Sequence, residues 1–127
     1  SDVPWRREDG VVIRGAKAHQ TGCINSHWLV VMPTMRMREG DEDYAISCAI
    51  PVDAPGITYV VGRQSCDTRA MEGSAIDQGN AKYSGQEAMV ILEDVFVPNE
   101  HIFMDGECAY ASELVERFTT FTAELRL

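Results

Sequence analysis

The sequence predicts a mainly β fold, either an antiparallel β-barrel or two packed sheets, with one C-terminal helix. Three observations carry this. Short apolar runs rich in β-branched residues recur over residues 5–98, each closed by proline, glycine or an Asp-Gly pair, the punctuation of antiparallel strands. Only residues 110–124 place apolar side chains at helical spacing. The chain of 127 residues, 45% hydrophobic and 24% charged, is one domain's worth and long enough to bury a core without disulfides or a metal.

Trp5 to Glu8 and Val11 to Arg14 flank Asp9-Gly10, a favoured two-residue turn, and predict a hairpin. Gly15 to His27 reads as a strand running into a ligand-facing loop. Gly15 and Gly22 permit close approaches that a Cβ would hinder, and Gln20, Thr21, Asn25 and Ser26 carry groups that both donate and accept hydrogen bonds. Such a surface suits a polar heterocycle, but the same residue types also make an ordinary loop. Trp28 to Met32, closed by Pro33, predicts a buried strand, which Met35 to Met37 extend at an edge. Glu39-Gly40-Asp41-Glu42-Asp43 is a solvated turn, since a calcium loop needs more ligands at fixed intervals.

Tyr44 to Ile50, ended by Pro51, and Ile57 to Val61 are the next strands, joined by a turn at Asp53-Ala54-Pro55-Gly56. Gly62 to Gly85 is polar with weak periodicity and predicts a long ordered loop, of the kind that is functional or shielded by a neighbour. Glu87 to Leu92 forms a strand, Glu93-Asp94 a turn, and Val95 to Pro98 a last strand. Beyond the Asp105-Gly106 turn, Leu114, Val115, Phe118 and Phe121 mark the helix, with Ser112 as its candidate cap.

A net charge of −9 argues against a nucleic-acid partner, which would need concentrated Lys and Arg. No apolar run approaches the roughly 18 residues of a membrane span, so no membrane is expected as a partner. The N-terminus lacks a basic region followed by an apolar one and reads as a cut inside a longer, cytoplasmic protein. Cys23, Cys48, Cys66 and Cys108 contain no CxxC pair; they are expected as thiols, with no metal site among them.

Glu87 is the catalytic candidate, because a carboxylate at the start of an apolar strand can project from a rigid element and exchange protons. A surface residue at a strand start is the plain alternative. His19, His27 and His101 lack a nearby carboxylate motif or a second histidine at ligand spacing and read as structural or exposed. Lys17 could approach a phosphate or stand in solvent. Arg63, Gln64, Ser65, Asp67 and Arg69 could receive a thioester or a partner subunit, or pair with one another, and Cys66 has no positioned histidine to activate it.

Three stretches in the same order, Arg14-Gly15-Ala16-Lys17-Ala18-His19-Gln20-Thr21-Gly22, Gly62-Arg63-Gln64-Ser65-Cys66-Asp67-Thr68-Arg69 and Gly85-Gln86-Glu87-Ala88, resemble the 4-hydroxybutyryl-CoA dehydratase/vinylacetyl-CoA isomerase family of acyl-CoA dehydrogenase-like flavoproteins. Leu92 to Pro98 resembles the close of the middle domain of that superfamily, and the likeness runs from about Glu8 to Phe118. The resemblance implies that residues 1–127 are a single middle β-domain of a larger FAD enzyme that acts on 4-hydroxybutyryl-CoA or a related acyl-CoA and assembles as a homo-oligomer.

It also implies that Thr21 meets the flavin's pyrimidine edge, with Gln20, Gly22, Asn25 and Ser26 as further cofactor contacts, and that Glu87 lies near flavin and acyl thioester. Family members hold a [4Fe-4S] cluster with two upstream cysteines and with a His and a Cys that follow the segment resembling Val115-Glu116-Arg117-Phe118. Thr119 to Leu127 contains neither, so the cluster ligands are expected outside this chain, and the isolated chain is expected to be inactive and to hold no cofactor tightly. Two alternatives remain: the middle domain of a flavin-dependent 4-hydroxyphenylacetate 3-hydroxylase-like monooxygenase, and a truncated non-catalytic β-domain.

Overall fold

A computed structural model describes residues 6–33, 37–62 and 87–124, with side chains as far as residue 117. Trp5, Met35 and the polar segment from Arg63 to Gln86 lie outside the described residues. Strands β1 (Gly10–Lys17), β4 (Ile57–Val61) and β5 (Ala88–Pro98) form one three-stranded sheet in the order β1-β5-β4. Strands β2 (Trp28–Val31), β3 (Ile46–Pro51) and β6 (Ile102–Asp105) form a second in the order β2-β3-β6, and helix α1 (Cys108–Glu124) follows. Of the two arrangements left open by the sequence, the described residues show two antiparallel sheets with a C-terminal helix and no closed barrel.

The chain falls into two compact units. The first comprises Arg6, Val12–Leu29 and the described part of Pro51–Phe96. Here β4 and β5 pair antiparallel from Ile57↔Leu92 to Val61↔Ala88. The 11-residue β5 is continuous where the sequence predicts two strands and a turn. Asp94 adopts φ +55, the left-handed region that non-glycine residues seldom enter. The effect is visible in burial: Ala88, Val90 and Leu92 face inward, then Val95 and Val97 do, so the inward parity switches between Leu92 and Val95. This is the signature of one extra residue accommodated as a bulge. The Arg14 guanidinium holds the kink by donating to both Asp94 carboxylate oxygens at 2.6–3.1 Å. The turn before β4 is closed by the Tyr59 hydroxyl, which donates to the Val52 carbonyl at 2.8 Å.

The second unit comprises Arg7–Val11, Val30–Ile50 and Val97–Leu127 as far as described. Strands β3 and β6 pair antiparallel, with a register shift between Ser47 and Cys48. Ala45, Met104 and Ala111 are buried together, with Met37 and Cys108 packed against them. Cys108 and Ala111, one turn apart on the same face, carry the helix into this cluster; Leu114 and Val115 are half-buried, and the side chains of Phe118 and Phe121 lie outside the described residues. It begins at Cys108, so Ser112 lies inside it and caps nothing. The Glu107 carboxylate instead accepts from the Asp105 N–H just upstream.

Two further expectations are corrected. The strand at Trp28 is not buried: Trp28 and Val30 are half exposed, at 50% and 52%, and only Val31 is inside. Tyr44 belongs to a short 3-10 turn over Glu42–Tyr44, not to β3, and is largely exposed. The acidic run is the solvated turn expected. At the start of the chain, Arg6 makes an isolated bridge, and the hairpin is reduced to a bend in which the Arg7 N–H donates to the Gly10 carbonyl.

Candidate functional site

The site lies in the first unit, where β1 runs out into residues 18–26 and meets the start of β5. The loop is built by local hydrogen bonds. Gly22, at φ +75, introduces a 3-10 turn over Cys23–Asn25, and its carbonyl accepts both the Asn25 N–H at 3.0 Å and the Ser26 hydroxyl at 2.9 Å. Buried Cys23 anchors the turn from below. The Gln20 side-chain amide donates to the Ala18 carbonyl at 2.7 Å, while its backbone N–H donates to the Ala88 carbonyl at 2.9 Å and ties the loop to β5.

That tie brings together residues far apart in the chain. The Thr21 hydroxyl donates to Glu87 Oε1 at 3.3 Å across 66 positions, and His19 Nδ1 lies 3.2 Å from Glu87 Oε2. Glu87 precedes β5 by one residue, and its carbonyl accepts the Gly62 N–H at 3.4 Å, which carries the β4–β5 ladder one step further. Its carboxylate is half exposed, at 53%, so it faces solvent instead of lying enclosed by an apolar wall. The Thr21 contact is long for an O–H···O bond, and the His19 contact stands at the upper end of the ordinary range.

Thr21 and Glu87 thus share one hydrogen bond. Gln20, Gly22 and Ser26 shape the loop, and Asn25 is an exposed residue on its 3-10 turn. The residue missed by sequence reasoning is His19, read as lacking a carboxylate partner; its partner sits 68 positions away, just before β5, out of reach of any local motif. The one signal available was its place two residues before Thr21. Lys17, which ends β1, is half-buried, and burial pulls its ammonium below the ordinary lysine range. Among the described residues no group of three or more His, Cys, Asp or Glu side chains is arranged to hold a metal. The described thiols Cys23, Cys48 and Cys108 are free, and burial pushes Cys48 up to about 11. No described helix is long and apolar enough to cross a membrane.

Residues 2–104 match the family model for the 4-hydroxyphenylacetate 3-hydroxylase N terminal. The chain is 56% identical over 117 residues to the 4-hydroxybutyryl-CoA dehydratase/vinylacetyl-CoA-Delta-isomerase of Clostridium aminobutyricum, covering 91% of this chain and 24% of that protein. Its fold superposes on a solved archaeal 4-hydroxybutyryl-CoA dehydratase from N. maritimus with a TM-score of 0.75 and 58% identity, over 94% of this chain and 25% of that one. The oxygenase component of 4-hydroxyphenylacetate 3-monooxygenase, solved with FAD, superposes with a TM-score of 0.62 at 25% identity, over 86% of this chain and 22% of that one. The chain spans about a quarter of the length of the relatives it matches. It therefore belongs to the 4-hydroxyphenylacetate 3-hydroxylase N-terminal family, and within that family it bears out the resemblance to the 4-hydroxybutyryl-CoA dehydratases/vinylacetyl-CoA isomerases read from its three motifs.

Proposed function

We propose that residues 1–127 form one β-domain of an FAD-dependent 4-hydroxybutyryl-CoA dehydratase/vinylacetyl-CoA isomerase, contributing part of its flavin and acyl-CoA site. The observation that carries this reading is the meeting of Thr21 with Glu87, which come from two of the three dehydratase-like motifs. A polar cofactor edge fits this loop. Gly22 has open space where a Cβ would stand, and Thr21 and Gln20 present a hydroxyl and an amide beside it. Thr21, Gln20 and Gly22 would hold the flavin, with Asn25 and Ser26 bounding the same turn. When bound, FAD supplies the redox chemistry that makes an unactivated C–H bond removable, which side chains alone do not provide.

Glu87 takes or positions the substrate proton in this reading. Its carboxylate is exposed to an incoming acyl chain, while its backbone is held by Gly62 on one side and, through Ala88, by Gln20 on the other. The dehydration removes water from 4-hydroxybutyryl-CoA to leave crotonyl-CoA, and the isomerisation moves a proton and the double bond of vinylacetyl-CoA. A [4Fe-4S] cluster does not fit the described residues, and its ligands would come from outside this chain. The complete protein would be a cytoplasmic homo-oligomer, and the 127-residue chain alone would be inactive with weak FAD affinity.

The test is made in the complete enzyme. A general base contributes about 10²–10⁴-fold in rate, so Glu87→Gln is expected to lose turnover by that order while FAD content and folding stay near wild type. Thr21→Ala is expected to lose flavin more than rate. Full turnover in Glu87→Gln would make the carboxylate structural and the site assignment wrong. The family match favours a second reading, a 4-hydroxyphenylacetate 3-hydroxylase-like monooxygenase. Oxygen-dependent hydroxylation of a phenol with reduced flavin, without dehydration of the CoA thioester, would select it.

A further inference from the structure

His19 is the one side chain at the site to which this reading gives no task. Its backbone stands at φ +56, a conformation that costs an L-residue free energy and persists only where the surroundings over-determine it. Two contacts do so here: the next N–H, that of Gln20, is bound to the Ala88 carbonyl, and Nδ1 faces Glu87 Oε2. Stability does not account for the arrangement. The His19 and Glu87 side chains are 85% and 53% exposed, and a pair so open to water returns little.

We infer that His19 is the positioning residue of Glu87: together with Thr21 it fixes the orientation of the carboxylate through one hydrogen bond to each oxygen, in the imidazole tautomer that carries its proton on Nδ1. An ionised carboxylate only accepts, so the imidazole must donate from the nitrogen that faces it. Thr21 already supplies the proton at Oε1. Backbone bonds at Gly62 and Gln20 hold the main chain on either side of Glu87, so the side-chain torsions are its remaining freedom, and the two donors close them. Each oxygen keeps a further lone pair for a substrate proton. The effect on rate rests on the catalytic role proposed for Glu87; the pairing itself does not.

The pairing is read in the ¹⁵N-labelled 127-residue chain by long-range ¹H–¹⁵N spectra at about pH 8, with the His19 signals assigned by their loss in His19→Asn. Wild type is expected to carry the His19 proton on Nδ1, and Glu87→Ala to return the ring to the Nε2–H form that an unpaired histidine side chain prefers. A ring already in the Nε2–H form, or one indifferent to Glu87→Ala, overturns the inference.

The rate is read in the complete FAD-loaded enzyme. His19→Ala is expected to lower kcat by about tenfold to a hundredfold, since misplacing a reacting group by a fraction of an ångström is costly. His19→Asn should recover most of the loss, because its Nδ2 stands where Nδ1 stood and Asn tolerates a left-handed backbone. An Asn variant as slow as the Ala variant overturns the positioning role. If the tautomer behaves as expected and Glu87→Gln nonetheless retains full turnover, the catalytic reading of Glu87 fails while the pairing stands.

Discussion

Replacing Gly56 by alanine sets two physical effects against the β4–β5 pairing. Gly56 sits at φ +92 at the end of the turn before β4, and its carbonyl accepts the Glu93 N–H at 2.8 Å. A Cβ there would overlap the Glu93 carbonyl oxygen and press on Val95 Cγ2 at 3.2 Å. Left-handed backbone costs an L-residue about 1–2 kcal/mol, and drawing the turn away from β5 weakens a hydrogen bond worth about 0.5–1.5 kcal/mol. The expected loss is about 2–3 kcal/mol, or a Tm lowered by about 6–15 °C for a chain of this size. Gly22→Ala is the control, because Gly22 is left-handed at φ +75 with nothing within 4 Å of an added Cβ. It should show the backbone effect alone, about 1 kcal/mol. Urea and thermal unfolding followed by far-UV circular dichroism measure both. Equal losses in the two variants, or less than about 0.5 kcal/mol at Gly56, would refute the close-approach argument.

Asp94→Asn should cost under about 1 kcal/mol, since Asn tolerates the left-handed backbone and the Arg14 pair is exposed, whereas Asp94→Val should cost about 2 kcal/mol or more by placing a β-branched residue there. Denaturant midpoints compare the two. Ala111→Leu overfills the site shared with Ala45 and Met104 and should destabilise by about 1–3 kcal/mol; an unchanged midpoint would mean that the helix can shift to accommodate it. Burial holds the Cys48 thiol at about 11 against an ordinary 9.0, so the folded chain keeps a proton that the unfolded chain releases first. That contribution is complete below pH 9 and is lost as pH rises toward 11. Comparing unfolding of wild type and Cys48→Ala from pH 8 to pH 11 should show wild type losing stability more steeply, and parallel curves would contradict it.

The strands β3 and β4 and the helix were legible because Pro51, the Asp53–Gly56 turn and the helical spacing after Gly106 are local signals. The Glu93-Asp94 pair misleads for a local reason too. Two acidic residues between apolar runs read as a reversal, whereas Arg14, 80 positions away, grips Asp94 and lets the strand continue. Ala111 was overlooked because its methyl group carries little hydropathy, although its small size is what lets the helix approach Ala45. Trp28 and Val30 look like core by composition, yet composition does not say which face of a strand is covered. At the site, Thr21 and Glu87 were legible through their motifs. The contact of Glu87 with His19 was not, because a partner 68 positions away leaves no trace in a histidine's own neighbourhood.

The bulge in β5 makes the inward face of the downstream strand depend on the extra residue being accommodated, which the left-handed backbone at Asp94 does. Deleting either Glu93 or Asp94 would leave one residue between Leu92 and Val95, so strict alternation would itself keep Val95 and Val97 inward and Phe96 outward, whereas straightening the bulge with both residues kept would turn Val95 and Val97 outward and bring Phe96 inward. Along β5, then, the residue that can adopt the left-handed backbone is a stricter constraint than the count between Leu92 and Val95. Variation among relatives should accordingly either keep a residue that tolerates this conformation here or drop one residue altogether.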